Sequence, residues 1–274
     1  MKQDVKLKNI RHMALDMDGT LYLGGRIFPW TLDFLKTLRD KGIGYTFLTN
    51  NPTRSVADYL SKLAGMGIEA SEDNMLTTSL AAIDYLKENL LEARRLFLLG
   101  TPSMVSQFEK AGFEAAADDP ADRPDALVVS FDMTLTYDRL CRAAWWAKQG
   151  VPYIATNPDR VCPTEKETIL VDCGSIQKCI EEATGRRPDI VLGKPDPTML
   201  RDIMRRHGLS PCEVAMVGDR VYTDIAMAHN AGAVGILVLS GETTRDMLET
   251  ASLAPDYVFD NVGALAKALS EAAE

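Results

Sequence analysis

The short apolar run Met13-Ala14-Leu15 closes on Asp16-Met17-Asp18-Gly19-Thr20, and this junction constrains the chain more than any other stretch. Aspartate is a poor strand residue and a costly one to bury, so two of them ending an apolar run mark a site rather than core. On an extended backbone residues two apart share a face, which brings Asp16 and Asp18 together and turns Met17 away. Gly19 then permits a sharp turn. Two carboxylates this close repel, and they require a divalent cation or a shared proton to relieve them. An acidic turn after a strand is the less favoured alternative from the pentapeptide alone, and the remaining stretches decide.

Those stretches alternate between strand-like and helix-like patterns in short steps. Residues 30–42 have helical spacing through Leu32, Leu35 and Leu38 with Gly42 as a stop, residues 44–50 are β-rich, and Ser55 is placed to cap a helix through Val56, Leu60 and Leu63. This order predicts a parallel α/β layer, in which ligands collect at the carboxyl ends of the strands. Residues 21–29, rich in glycine and aromatics, predict a packed loop or small hairpin at the mouth of a site built on Asp16. Thr49-Asn50-Asn51 ends the second strand with a hydroxyl and amides, groups that hold an anion but also cap many strand-to-helix turns.

From about Ser79 a second α/β series begins and runs through a strand at 153–156, the size of a small inserted domain. Trp145 and Trp146 lie side by side on one of its helices and must diverge, which predicts core packing or a subunit contact. Asn157-Pro158-Asp159-Arg160 is a turn or a loop that presents substrate contacts. Residues 189–192 then read as a short strand that delivers Gly193-Lys194-Pro195, a cation with little backbone freedom. Residues 214–218 form another buried-looking strand, ending in Asp219, with Thr223-Asp224 opening the helix that follows. Asp219 offers oxygen to a hard cation such as Mg²⁺, and Asp224 either joins it or complements the helix dipole.

The chain has 274 residues and a formal charge of −9, which argues against a general nucleic-acid or anionic-membrane surface. A phosphorylated small substrate would need local cations and backbone N–H groups. The N-terminus lacks an apolar signal core and no apolar run is long enough to span a bilayer, so a cytoplasmic protein is expected. Five cysteines without a C-x-x-C pair fit reduced thiols rather than a zinc site or a catalytic cysteine. The three histidines are scattered and read as structural or surface residues.

Taken in order, D-x-D-G-T, T-N-N, G-K-P and G-D-R-x-x-T-D resemble the four motifs of the haloacid dehalogenase (HAD) superfamily of phosphotransferases. Residues 131–137 (FDMTLTY), 155–159 (ATNPD) and 181–188 (EEATGRRP) resemble its C2-capped, NagD-like or p-nitrophenylphosphatase branch. The resemblance spans nearly the whole chain. It implies an α/β fold, a Rossmann-like parallel-sheet core of residues 1–79 and 187–274 with an inserted α/β C2-type cap of residues 80–186. It implies Mg²⁺-dependent hydrolysis of small phosphomonoesters such as sugar phosphates or nucleotides. Asp16 would be the nucleophile and Asp18 the acid and base. Thr49 and Lys194 would hold the phosphoryl group, aided by Gly19, Asn50 and Asn51. Asp16, the Asp18 backbone carbonyl and Asp219 would bind Mg²⁺, with Asp224 orienting water or Lys194. Asn157 and Asp159 would be the cap's substrate contacts. The expected partner is a small phosphorylated metabolite, with no nucleic acid and no membrane, and a homodimer through the cap is one expected association. The alternatives are a catalytically idle binding or regulatory protein on the same fold and a phosphomutase.

Overall fold

The computed structural model describes residues 7–162 and 167–272. The chain divides into two compact units, one of Met1–Thr49, Leu60–Leu76 and Lys194–Glu274, the other of Asn50–Tyr59 and Thr77–Gly193. The first is built on a six-stranded sheet in the order Tyr257–Phe259, Val234–Val238, Val214–Gly218, His12–Leu15, Gly44–Thr49, Met75–Thr77. His12–Leu15 is a central strand with every residue buried, as expected for the apolar run Met13-Ala14-Leu15 in a strand covered on both faces. Its neighbours run parallel to it, with Leu15 opposite Val217 on one side and Phe47 on the other. That register carries Asp16, Asp219 and Thr49 to one or two residues beyond the same row, at the carboxyl edge of the sheet. Helix Thr31–Asp40 buries Phe34, Leu35 and Leu38 and packs beside Val262–Glu271, whereas Leu32 is 46% exposed and takes no part in the expected stripe. Of the two forms expected for residues 21–29, a hairpin is found, Tyr22–Leu23 paired antiparallel with Arg26–Ile27.

The second unit holds a five-stranded parallel sheet in the order Ile190–Val191, Tyr153–Ala155, Ala126–Val129, Arg95–Leu99, Glu114–Ala115. Strand periodicity sorts its core into two layers. Phe97, Leu99, Leu127 and Val129 pack with Trp146, Ile176 and Ile180 of helices Tyr137–Lys148 and Cys173–Thr184. Leu96, Leu98, Ala126 and Val128 pack on the other side with Ala82, Leu86 and Phe108 of Thr78–Asn89 and Pro102–Lys110. Trp146 is buried and Trp145 is 46% exposed, the divergence expected of helix neighbours. The sequence reading put residues 189–192 in the same sheet as Asp16; they pair instead with Tyr153–Ala155 in the second sheet. A two-residue strand has too little pattern of its own to choose a sheet, and long-range pairing decides. Among the described residues no helix is long and apolar enough to cross a membrane.

At the amino end of the central strand the His12 and His207 rings lie 4.3 Å apart, and His12 Nε2 is 2.9 Å from Thr46 Oγ1. Burial, and then His207, push the His12 pKa down from 6.5 to about 4. A folded value below the unfolded one means that the contribution is whole above pH 6.5 and lost as pH falls toward 4. The loss is on the order of 3 kcal/mol. Denaturant midpoints of His12→Gln are expected to decline less steeply than wild type between about pH 7 and pH 4.5. An unchanged slope would remove His12 as the source.

Candidate active site

Asp16 leaves the central strand with its N–H donating to the Val217 carbonyl at 2.9 Å, so its position is fixed by the sheet ladder. One carboxylate oxygen pairs with the Lys194 ammonium, and the other accepts a hydrogen bond from Thr20 Oγ1 at 3.3 Å. Lys194 Nζ also lies 2.7 Å from Asp224 Oδ1, with all three side chains largely buried. Burial by itself would lower the pKa of Lys194, but the charges of Asp16 and Asp224 outweigh it and hold the ammonium protonated. Asp224 is carried by a single π-helical turn, Val221–Ile225, and its second oxygen accepts from the Arg220 N–H at 3.0 Å. Gly218 in G-D-R has a packing reason: a Cβ there would stand 2.2 Å from the Asp224 carboxyl carbon.

Asp219 follows the neighbouring strand Val214–Gly218 and is 2% exposed. Oxygen atoms of Asp16, Asp219 and Asp224 lie within 4.8 Å of one another, and Lys194 pairs with two of the three acids. Burial first, then the Asp16 and Asp224 charges, push the Asp219 carboxyl up to about 8. Asp224 is pushed up to about 6 by burial, against the pull of Lys194. Among the described residues the buried Asp219 Oδ1 has no hydrogen-bond partner. An orphaned buried carboxylate oxygen within a cluster of acids is the donor set that a hard divalent cation satisfies, so the residues fit such an ion.

Asp18 differs from Asp16. Its side chain reaches solvent and accepts a long hydrogen bond from the Gly24 N–H at 3.4 Å, and among the described residues it is not a member of the three-carboxylate group. Enough protein surrounds it that desolvation raises its pKa, against the opposing pull of the Gly24 hydrogen bond and Lys62. Gly19 supplies the turn with a φ of +87°, and a Cβ on it would stand 2.5 Å from Asp219 Oδ2. Thr49 is 9% exposed at the end of Gly44–Thr49.

Asn50, Asn51, Asn157 and Asp159 belong to the second unit. Asp159 Oδ2 accepts from Asn50 Nδ2 at 2.8 Å and from Asn157 Nδ2 at 3.1 Å. Asn157 is fully buried and also bonds Asp172 Oδ1 and Thr156 Oγ1, so its amide is engaged within the protein rather than offered to solvent. Asn51 closes an Asx turn, its Oδ1 accepting from the Thr53 N–H at 3.0 Å and from Thr53 Oγ1 at 2.6 Å. Sequence reasoning passed over Thr20, although its place in D-x-D-G-T was the available signal. It also passed over residues 240–243, whose contribution comes largely from backbone atoms and from a Ser240 hydroxyl contact that only the fold creates.

The haloacid dehalogenase-like hydrolase family model matches residues 13–114, and a HAD-hydrolase-like model matches residues 191–265. An acid sugar phosphatase of Staphylococcus aureus is 31% identical over 93% of this chain and 96% of its own length. The 4-nitrophenylphosphatase structure from Thermotoga maritima is 42% identical, covers 96% of this chain and 99% of that one, and superposes with a TM-score of 0.91. A glycerol phosphate phosphatase of Mycobacterium tuberculosis in complex with magnesium is 27% identical over 95% and 78% of the two chains, with a TM-score of 0.87, and the same protein is also solved with calcium. These likenesses join the carboxylate and lysine cluster at the sheet edge in placing this chain among the haloacid dehalogenase-like hydrolases, as a phosphoric monoester hydrolase of the NagD and nitrophenylphosphatase branch.

Proposed function

We propose that the chain hydrolyses small phosphomonoesters with Mg²⁺ through an aspartyl-phosphate intermediate on Asp16. The observation that carries the reading is the pairing of Asp16 with Lys194 beside Asp219, whose buried Oδ1 is without a hydrogen-bond partner among the described residues. In the first step an Asp16 oxygen attacks phosphorus in line with the ester oxygen, the P–O bond to the alcohol breaks, and Asp18 gives the departing alkoxide its proton. In the second step Asp18 takes a proton from a water that attacks the same phosphorus, releasing phosphate and returning Asp16 to its carboxylate. The raised pKa of Asp18 suits a group that must hold a proton and then give it up.

Lys194 and Thr49 would bind the phosphoryl oxygens, and Asp224 fixes the Lys194 ammonium at 2.7 Å. Asp16, Asp219 and the Asp18 carbonyl would hold Mg²⁺, which supplies positive charge to the crowded phosphoryl oxygens. Sugar phosphates, glycerol phosphate and nucleoside monophosphates are the proposed substrate class, the first two being what the relatives above are named for. Asn50 and Asp159 are the second unit's candidate contacts, with Asn157 holding Asp159 in place.

Purified protein with Mg²⁺ is expected to release phosphate from members of a panel of these esters and from p-nitrophenyl phosphate. EDTA should stop the release and added Mg²⁺ should restore it. No release from any ester would overturn the proposed chemistry, and unchanged turnover after thorough EDTA treatment would overturn the metal assignment.

A further inference from the structure

Strand Val234–Val238 leads into a turn, residues 240–243, which none of the four motifs includes. Its backbone wraps around Asp219. The Glu242 N–H donates to Asp219 Oδ2 at 2.6 Å, and the Thr243 N–H donates to the Asp219 carbonyl at 3.2 Å. Between Ser240 and Glu242, Gly241 lies so close that a Cβ on it would stand 2.0 Å from Asp219 Oδ2, and its three nearest atoms would all belong to Asp219. Gly241 has no positive φ, so an alanine there is opposed by the carboxylate and not by its own backbone. Ser240 Oγ donates to the Gly19 carbonyl at 2.8 Å, within the turn that carries Asp16 and Asp18. The turn is itself braced, since the Glu242 carboxylate pairs with Arg220 Nε at 2.8 Å and accepts from the Tyr222 hydroxyl at 2.6 Å.

A carboxylate with one oxygen held by an N–H and the other left without a hydrogen bond is asymmetric: Oδ2 is engaged and Oδ1 is available as a ligand. We infer that the 240–243 turn is a fifth contribution to the site, which orients Asp219 toward a divalent cation and ties the Asp16 turn to it through Gly19. Gly241 and Ser240 are then positioning residues: neither touches the reacting atoms, and each acts through a residue that does. The inference rests on the divalent-cation reading above. It accounts for a glycine that no turn geometry demands, and for a serine whose hydroxyl bonds a motif more than two hundred residues earlier in the chain.

Isothermal titration of Mg²⁺ into wild type, Gly241→Ala and Ser240→Ala tests it. Gly241→Ala is expected to weaken Mg²⁺ binding about 10- to 100-fold, the range for disturbing a group that orients a metal ligand. Wild-type affinity in this variant overturns the assignment. Denaturant midpoints in EDTA give a readout free of both metal and turnover. Gly241→Ala is expected to lower the midpoint in the wild-type background and to leave it unchanged in the Asp219→Ala background, where the opposing carboxylate is gone. Equal shifts in the two backgrounds overturn the assignment. If Gly241→Ala does not fold, Ser240→Ala, which deletes one hydroxyl, carries the titration, with weaker Mg²⁺ binding expected and unchanged binding overturning the inference. Wild-type protein that binds no Mg²⁺ while the Gly241 and Asp219 coupling holds overturns the cation reading, and this extension of it, without touching the contact.

Discussion

Asp16→Asn is expected to reduce phosphate release roughly 10⁴-fold or more while leaving the fold in place. The amide has the shape of the carboxylate, and it can turn its oxygen toward Lys194 and its NH2 toward the Thr20 hydroxyl oxygen, but it is no nucleophile toward phosphorus. Lys194 retains its second partner, Asp224 Oδ1 at 2.7 Å, so no cation is stranded in the core. The circular dichroism spectrum and the denaturant midpoint should therefore stay near those of wild type as activity disappears. Retained turnover would remove Asp16 from the attacking role, and a collapse of the midpoint would show that the lost activity reports unfolding.

Lys194→Met carries the second large effect, and it reaches stability as well as rate. Lys194 is 4% exposed and pairs with both Asp16 and Asp224, while Asp219 lies in the same cluster. Removing it leaves three buried acids with no lysine among them. Losing one partner of a buried ion pair costs about 3–5 kcal/mol. Part of that is recovered when the carboxyls take up protons or when a cation enters. The metal-free variant should accordingly be strongly destabilised at about pH 8 and less so at about pH 5, where the raised values of Asp219 and Asp224 favour their neutral forms. Mg²⁺ should restore a large part of the loss at the higher pH. Turnover should fall roughly 10²- to 10³-fold even with Mg²⁺, because the charge proposed to bind the phosphoryl oxygens is gone. Denaturant midpoints at the two pH values, with and without Mg²⁺, check this. A metal-free variant as stable as wild type at the higher pH would contradict the account of the cluster's charge.

Much of this architecture was legible in the sequence because the chemistry-bearing residues sit where strands stop. An aspartate after Met13-Ala14-Leu15 and another after Val217-Gly218 break apolar runs, and such breaks are visible without a structure. The alternation of short runs likewise foretold a parallel α/β layer and a second α/β series inserted into it. The sheet to which Ile190–Val191 belongs was not legible, since two residues pair wherever the surrounding fold offers an edge. The pairing of Val161–Cys162 with Leu170–Val171 escaped for the same reason. Asn157 reads as a polar turn residue and proves to be fully buried, because its hydrogen-bond partners Asp159, Asp172 and Thr156 come together only in the fold. The turn at 240–243 was the hardest to read: Asp219 is held by two backbone N–H groups and a missing Cβ, and the Ser240 hydroxyl meets Gly19 only across the fold, so none of these shows as a motif in the sequence.

The central claim, that the phosphoryl group passes through Asp16, is tested most directly by trapping it there. In Asp18→Asn the proposed acid and base is gone while Asp16, Lys194 and Asp219 remain, so the second step should slow and the phosphorylated enzyme should accumulate. Acid-quenched mixtures of this variant with Mg²⁺ and p-nitrophenyl phosphate, followed by peptide mass spectrometry, are predicted to show one phosphoryl group on the peptide that contains Asp16, and none once Asp16→Asn is added. Phosphate release that continues with no adduct at any time, or an adduct on a different residue, would contradict the account.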